Sequence, residues 1–194
     1  MDVRTQTQAL TPAIRACAPL ALALLLAAAL ALPAAAQGQF YDPLTRAEAD
    51  RVRHTSEELN KRPPLLLHFA HQRLDRFQRL RVASPPPPAR GAQLYNLLRQ
   101  YAAILQEADD SVDQLFHARA QYKTTPKVLR QVVAEESAMQ AELHAIRSAS
   151  SPADLARYHF ELDNCLDLTA DCLQNAQEDL ARAGGKSTRG DLLR

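Results

Sequence analysis

QLYNLLRQYAAILQEADDSVDQL, residues 93–115, is the stretch whose reading decides the fold. Its apolar side chains fall at Leu94, Leu98, Tyr101, Leu105, Ala108, Val112 and Leu115. That alternating four-three spacing lines one seam of an α-helix, and three heptads of it predict coiled-coil-like packing along the whole length. With no proline or glycine inside, the helix is expected to run over about residues 89–122. No segment of four to eight residues shows two-residue alternation with β-branched enrichment, so the chain offers no strand.

Working outward, prolines at 43, 63–64, 85–88, 126 and 152 punctuate further periodic runs, mostly where they suit a first helical turn. Residues 45–60 open with Thr45-Arg46-Ala47-Glu48, a capping-box pattern, and carry Ala49, Val52, Ser56 and Leu59 on one side. Residues 64–83 show Leu66, Phe69, Ala70, Leu74, Phe77 and Leu80 as a stripe among arginines. After Thr125-Pro126, a fourth helix carries Leu129, Val132, Met139, Leu143 and Ile146, with Glu136 at a core-like position. Ser151-Pro152-Ala153-Asp154 caps a fifth, whose stripe runs from Leu155 to Leu180 before Gly184-Gly185.

The expectation is an all-α, elongated antiparallel bundle of about five helices without a sheet. The three long C-terminal helices form the core, and helix two is the fourth member. Helices three and five, joined through helix four by short links, are expected as antiparallel neighbours. The domain is placed at residues 37–183, with N-terminal helices over 37–84, a proline linker at 85–88 and the long helices over 89–183. A disordered tail is expected over 184–194. The four prolines suit a stiff spacer of about 12 Å, acting as a corner or hinge.

Residues 1–36 have the composition of a cleaved secretory signal peptide. Arg4 and Arg15 precede an Ala/Leu run over 17–32, and Ala34 and Ala36 supply the small side chains before Gln37. The expected location is therefore exported, periplasmic or extracellular, with no transmembrane segment left after cleavage. From residue 37 onward Lys+Arg and Asp+Glu number 21 each, so no overall field draws the chain to nucleic acid. The charge is uneven: residues 61–90 hold seven basic groups and one acid, residues 91–180 seven basic groups and fourteen acids.

An oxidising compartment favours disulfides, yet Cys165 and Cys172 lie seven apart on a helix. Their Cα atoms would be about 10 Å apart, too far for a bridge. Both lie on the apolar stripe and read as small buried hydrophobes, and the neighbouring Asp163, Asp167 and Asp171 disfavour a reactive thiolate.

Glycine poverty removes the dinucleotide and nucleophile-elbow fingerprints, and Gly185-Lys186-Ser187 has no strand before it to make a phosphate loop. No Glu-x-x-His pair or Cys-x-x-Cys-His run offers a di-iron or c-haem site, so no cofactor is expected. His68 and His71, at i and i+3, are the weak metal candidates, needing a third ligand the spacing does not place. Glu135-Glu136 reads as a wet helix face, and Asp113 and His117 as an exposed i,i+4 pair. Arg73, Arg76, Arg79 and Arg81 form the densest charge cluster. They read first as neutralised by the acidic faces of helices three and five, and otherwise as an interaction surface for an anionic partner.

Leu44-Thr45-Arg46-Ala47-Glu48 resembles the LTxxQ motif of envelope-stress periplasmic chaperones, with Glu48 where that motif has Gln. The resemblance implies a small helical protein binding unfolded chains as a cradle-shaped dimer. The leading expectation remains a non-catalytic bundle that acts through a protein partner or self-association, as adaptor, scaffold or assembly partner. The alternatives are the chaperone, which needs an apolar concavity beside the arginines, and a metal- or haem-binding bundle, which needs His68 and His71 turned inward.

Overall fold

The computed structural model describes residues 42–118 and 125–191, with side chains through position 183. The leader expected over 1–36 lies outside the described residues.

Among the described residues five α-helices follow one another: α1 (Arg46–Arg53), α2 (Arg62–Val82), α3 (Arg90–His117), α4 (Thr125–Ala149) and α5 (Pro152–Asp191), with a 3-10 turn at Leu59–Lys61 before α2. No strand occurs among the described residues. The fold is an all-α helical bundle.

The sequence accounts for most of the boundaries. Thr45 and Glu48 close the capping box expected at the start of α1. Pro63 and Pro64 occupy the first turn of α2, where their missing N–H groups cost nothing. Ser151 Oγ accepts from the Asp154 backbone N–H at 3.2 Å to open α5. Helix α1 is shorter than its stripe suggested. Beyond Val52, the His54 N–H and ring Nδ1 and the Thr55 hydroxyl satisfy the last carbonyls, and Ser56 is exposed. A single buried anchor, Val52, cannot carry a longer helix. At the other end, α5 runs through Gly184-Gly185 to Asp191 rather than stopping there; each glycine costs a helix only about 1 kcal/mol relative to alanine.

Helix α2 packs on α3, α3 on α5, α5 on α4, and α4 back on α2. The ring order is therefore α2-α3-α5-α4, with α2 diagonal to α5. Chain neighbours α2 and α3 run antiparallel, as Arg62 meets Glu107 at 2.9 Å and Arg90 Nη1 meets the Arg81 carbonyl at 3.3 Å. Helices α3 and α5 are adjacent but parallel, contrary to the antiparallel expectation. Arg90 contacts Asp154, Leu98 contacts Cys165, and Tyr101 contacts Thr169, so the numbers rise together. The reason is parity: the chain reverses once into α4 and again into α5, which restores the direction of α3.

The core draws on all four long helices. Leu66, Leu67, Phe69, Ala70, Leu74 and Phe77 of α2 are each at most 1% exposed, so α2 is a full member of the core that had been assigned to the last three helices. They share one core with Leu98, Leu105, Leu129, Leu143, Ile146 and Leu162, and Phe77 stands edge-on to Tyr158 with ring centroids 5.2 Å apart. Burying a large apolar side chain contributes about 1.5–3 kcal/mol, so the five Leu and Phe side chains among them tie α2 to the bundle. The proline run leads into a corner. Pro87 accepts from the Arg90 N–H, and Ala89 takes a left-handed φ of 55° to turn the chain into α3.

Candidate functional site: the arginine groove between α2 and α3

Helical phase divides the four clustered arginines in the second half of α2. Arg73 lies on the side facing α1 and is 7% exposed. It donates to both carboxylate oxygens of Glu48, at 2.9 and 2.5 Å, and to the Pro43 carbonyl at 3.0 Å. Burial works against ionisation of Glu48, but hydrogen bonds from Arg73 and Thr45 outweigh it and bring the carboxyl down to about 2. Arg73 is thus neutralised internally, yet by α1 and not by the acidic faces of helices three and five. Arg81, half-buried, donates to the Ala149 carbonyl at 3.0 Å, where it complements the C-terminus of α4, and to Gln78 at 3.1 Å. Arg76 and Arg79 are exposed and have no ion-pair partner among the described residues. For these two the expected internal neutralisation fails.

Arg76 and Arg79 stand one turn apart and form a wall of a groove of about 560 Å³. Leu80 and Ala83 complete that side, while Gln93, Asn96, Leu97 and Gln100 of α3 form the other. No carboxylate lines it. Through Asn96 it adjoins a second depression of about 870 Å³ beside the proline corner, lined by Pro86, Pro87, Tyr95, Arg90 and Arg157. Gly91 permits this arrangement, since a Cβ there would stand 3.2 Å from Arg157 Cδ. Arg90 is paired with Asp154 at 3.2 Å, so the larger depression carries less free charge.

Chemically, the smaller groove offers two forked cations, three side-chain amides and an apolar floor. Guanidinium forks bind carboxylates and phosphates in two-point fashion, and amides can donate to or accept from a peptide backbone. The sequence marked the α2 wall through its arginines but not the α3 wall. Its signal was present: Gln93, Asn96 and Gln100 recur at i, i+3 and i+7, a polar stripe beside the leucine seam.

The histidines do not converge. His68 is exposed, with Nε2 2.9 Å from Gln72, and His71 lies between Glu135 and Glu142 of α4 at 3.8 and 3.5 Å. Among the described residues no three His, Cys, Asp or Glu side chains gather as a metal site would require. The inward-facing pair that a metal- or haem-binding bundle needs is therefore not what the structure places.

The perturbed groups are instead sealed in the core. Glu136 is 1% exposed, contrary to the wet face expected, and its Oε2 has no hydrogen-bond partner. Burial first, and then the charge of Asp109, push its carboxyl up to about 8. Cys165 and Cys172 are buried free thiols, both raised mainly by burial; Cys165 Sγ lies 3.4 Å from the Leu98 carbonyl. Tyr101 is likewise raised by burial and bonds Thr169 at 2.7 Å. None of these groups lines the groove.

Among the described residues the exposed large hydrophobics are Val82, 68% exposed on α2, and Phe160, 74% exposed on α5. They stand on diagonal helices, so they do not form the apolar concavity that chaperone-like binding asks for. No described helix is long and apolar enough to cross a membrane. Comparison with protein-family models, with curated proteins and with solved structures finds no match for this chain.

Proposed function

We propose that this protein is a non-catalytic, exported helical bundle that works through protein–protein contacts, as an adaptor, scaffold or assembly partner, and that the α2/α3 groove docks an acidic partner segment. The carrying observation is the split among the arginines. Arg73 and Arg81 are consumed in holding the bundle together, whereas Arg76 and Arg79 face solvent beside amides, with no ion-pair partner among the described residues and no carboxylate lining the groove. Two uncompensated cations on a rigid helix cost nothing to desolvate until a partner arrives, and they then supply orientation and encounter rate. The groups whose acidity is shifted lie in the core, away from the groove, which supports a binding role over proton transfer there.

The test is fluorescence anisotropy with a labelled Glu-rich helical peptide, against the parent and Arg76→Ala/Arg79→Ala. The parent should bind, with affinity falling as salt rises, and the variant should lose at least about tenfold. Equal binding by both would remove the groove from consideration. Export is tested separately: intact mass of material secreted from a bacterial host should begin at Gln37.

A further inference from the structure

We infer that the occupant of the groove is a second copy of this chain, presenting the outward face of α5 with Phe160 as its apolar anchor; this rests on the docking reading above. The two surfaces are complementary in both kinds of chemistry. Phe160 is followed at i+7 and i+11 by Asp167 and Asp171, which fall on the same outward stripe. Both acids are exposed and unpaired among the described residues, and the neighbouring Asp163 holds Arg147 only through an exposed pair at 3.0 Å. The face is thus an aromatic knob with exposed Arg157 one turn before it and carboxylates about two and three turns beyond it. The groove is its converse: Arg76 and Arg79 stand over an apolar floor, with exposed Val82 one turn beyond Arg79.

Position along the bundle also agrees. The contacts of Leu98 with Cys165 and Tyr101 with Thr169 set Phe160 level with about Gln93, which lines the groove. Because α2 and α5 are diagonal in the ring, one copy cannot use its own knob. Nor can two copies close an isologous pair through knob and groove alone. Each copy gives its knob to one neighbour and its groove to another, a heterologous contact that propagates side by side into a ring or an open chain. A buried Phe ring with two charge-assisted pairs farther along the same helix face gives the contact an aromatic anchor and a fixed orientation.

Sedimentation velocity over a concentration series tests this. The parent should associate, its weight-average mass at least doubling, while Phe160→Ser and Arg76→Asp/Arg79→Asp should each stay monomeric. Mixing the two variants is decisive, because one retains the groove and the other the knob. The mixture should form a discrete one-to-one dimer that does not grow. A parent that stays monomeric at millimolar concentration, or a mixture that stays monomeric, overturns the second-copy assignment. If the arginine variant still fails to bind the Glu-rich peptide in that case, the docking reading stands with a different partner; if it binds the peptide normally, both fall.

Discussion

Replacing Glu136 with Gln should abolish a large part of the pH dependence of stability. The carboxyl is 1% exposed, one of its oxygens is unpartnered, and its pKa is raised from 4.5 to about 8 by burial and by Asp109. The groups that face it are Asp109 and Tyr101 from α3 and Cys172 from α5, of which only Asp109 brings charge. Between pH 4.5 and 8 the folded chain keeps a proton that the unfolded chain has released. The stability is therefore full below 4.5, falls as pH rises, and levels off above 8. At about 1.4 kcal/mol per pH unit the loss approaches 5 kcal/mol, a large share of the 5–15 kcal/mol typical of a domain. Urea unfolding followed by helical circular dichroism at pH 5, 7 and 9 measures it. Parent and Glu136→Gln should diverge progressively, with the variant flatter. Residual slope in the variant is expected from Asp109 and Asp179, whose pKa values burial also raises. Parallel pH profiles for the two proteins would refute the reasoning, because they would mean that Glu136 is solvated.

Other outcomes follow from the same physics. Arg73→Met strands the carboxylate of Glu48 and should cost about 3 kcal/mol, and Glu48→Gln should remove the stability that the parent loses as pH falls from 4.5 towards 2. Ala89→Gly should raise the urea midpoint, worth about 1 kcal/mol, since alanine at φ 55° is strained and glycine is not. Cys165 and Cys172 should react with a thiol reagent only in denaturant, and reductant should leave the unfolding curve unchanged.

Much of the fold was legible because helix periodicity is a local property. The seam from Leu94 to Leu115 is buried as read, with Leu98, Tyr101, Leu105 and Leu115 each 0% exposed. Direction and ring order were less legible, since the parallel pairing of α3 with α5 depends on where the chain crosses the bundle, and no residue spacing encodes that. The candidate site was half legible. The arginines stood out by density, but which of them pair depends on helical phase relative to α1, a short helix whose Glu48 had been read as a cap residue alone. It is both: its oxygens serve the Thr45 N–H and Arg73 together. Glu136 was visible as the one polar intruder in its stripe, and only the packing of α3 and α5 around it showed that it is dry.

Arg73 of α2 is structural, held by Glu48, whereas Arg76 and Arg79 are assigned to the docking surface. Amide hydrogen exchange along α2, measured with peptide binding on the same samples, tests this division most directly. The account predicts that Arg76→Ala/Arg79→Ala keeps parental protection over residues 66–80 and loses binding of the Glu-rich peptide, whereas Arg73→Met loses protection there. Loss of α2 protection in the Arg76/Arg79 variant, with binding retained, would contradict it.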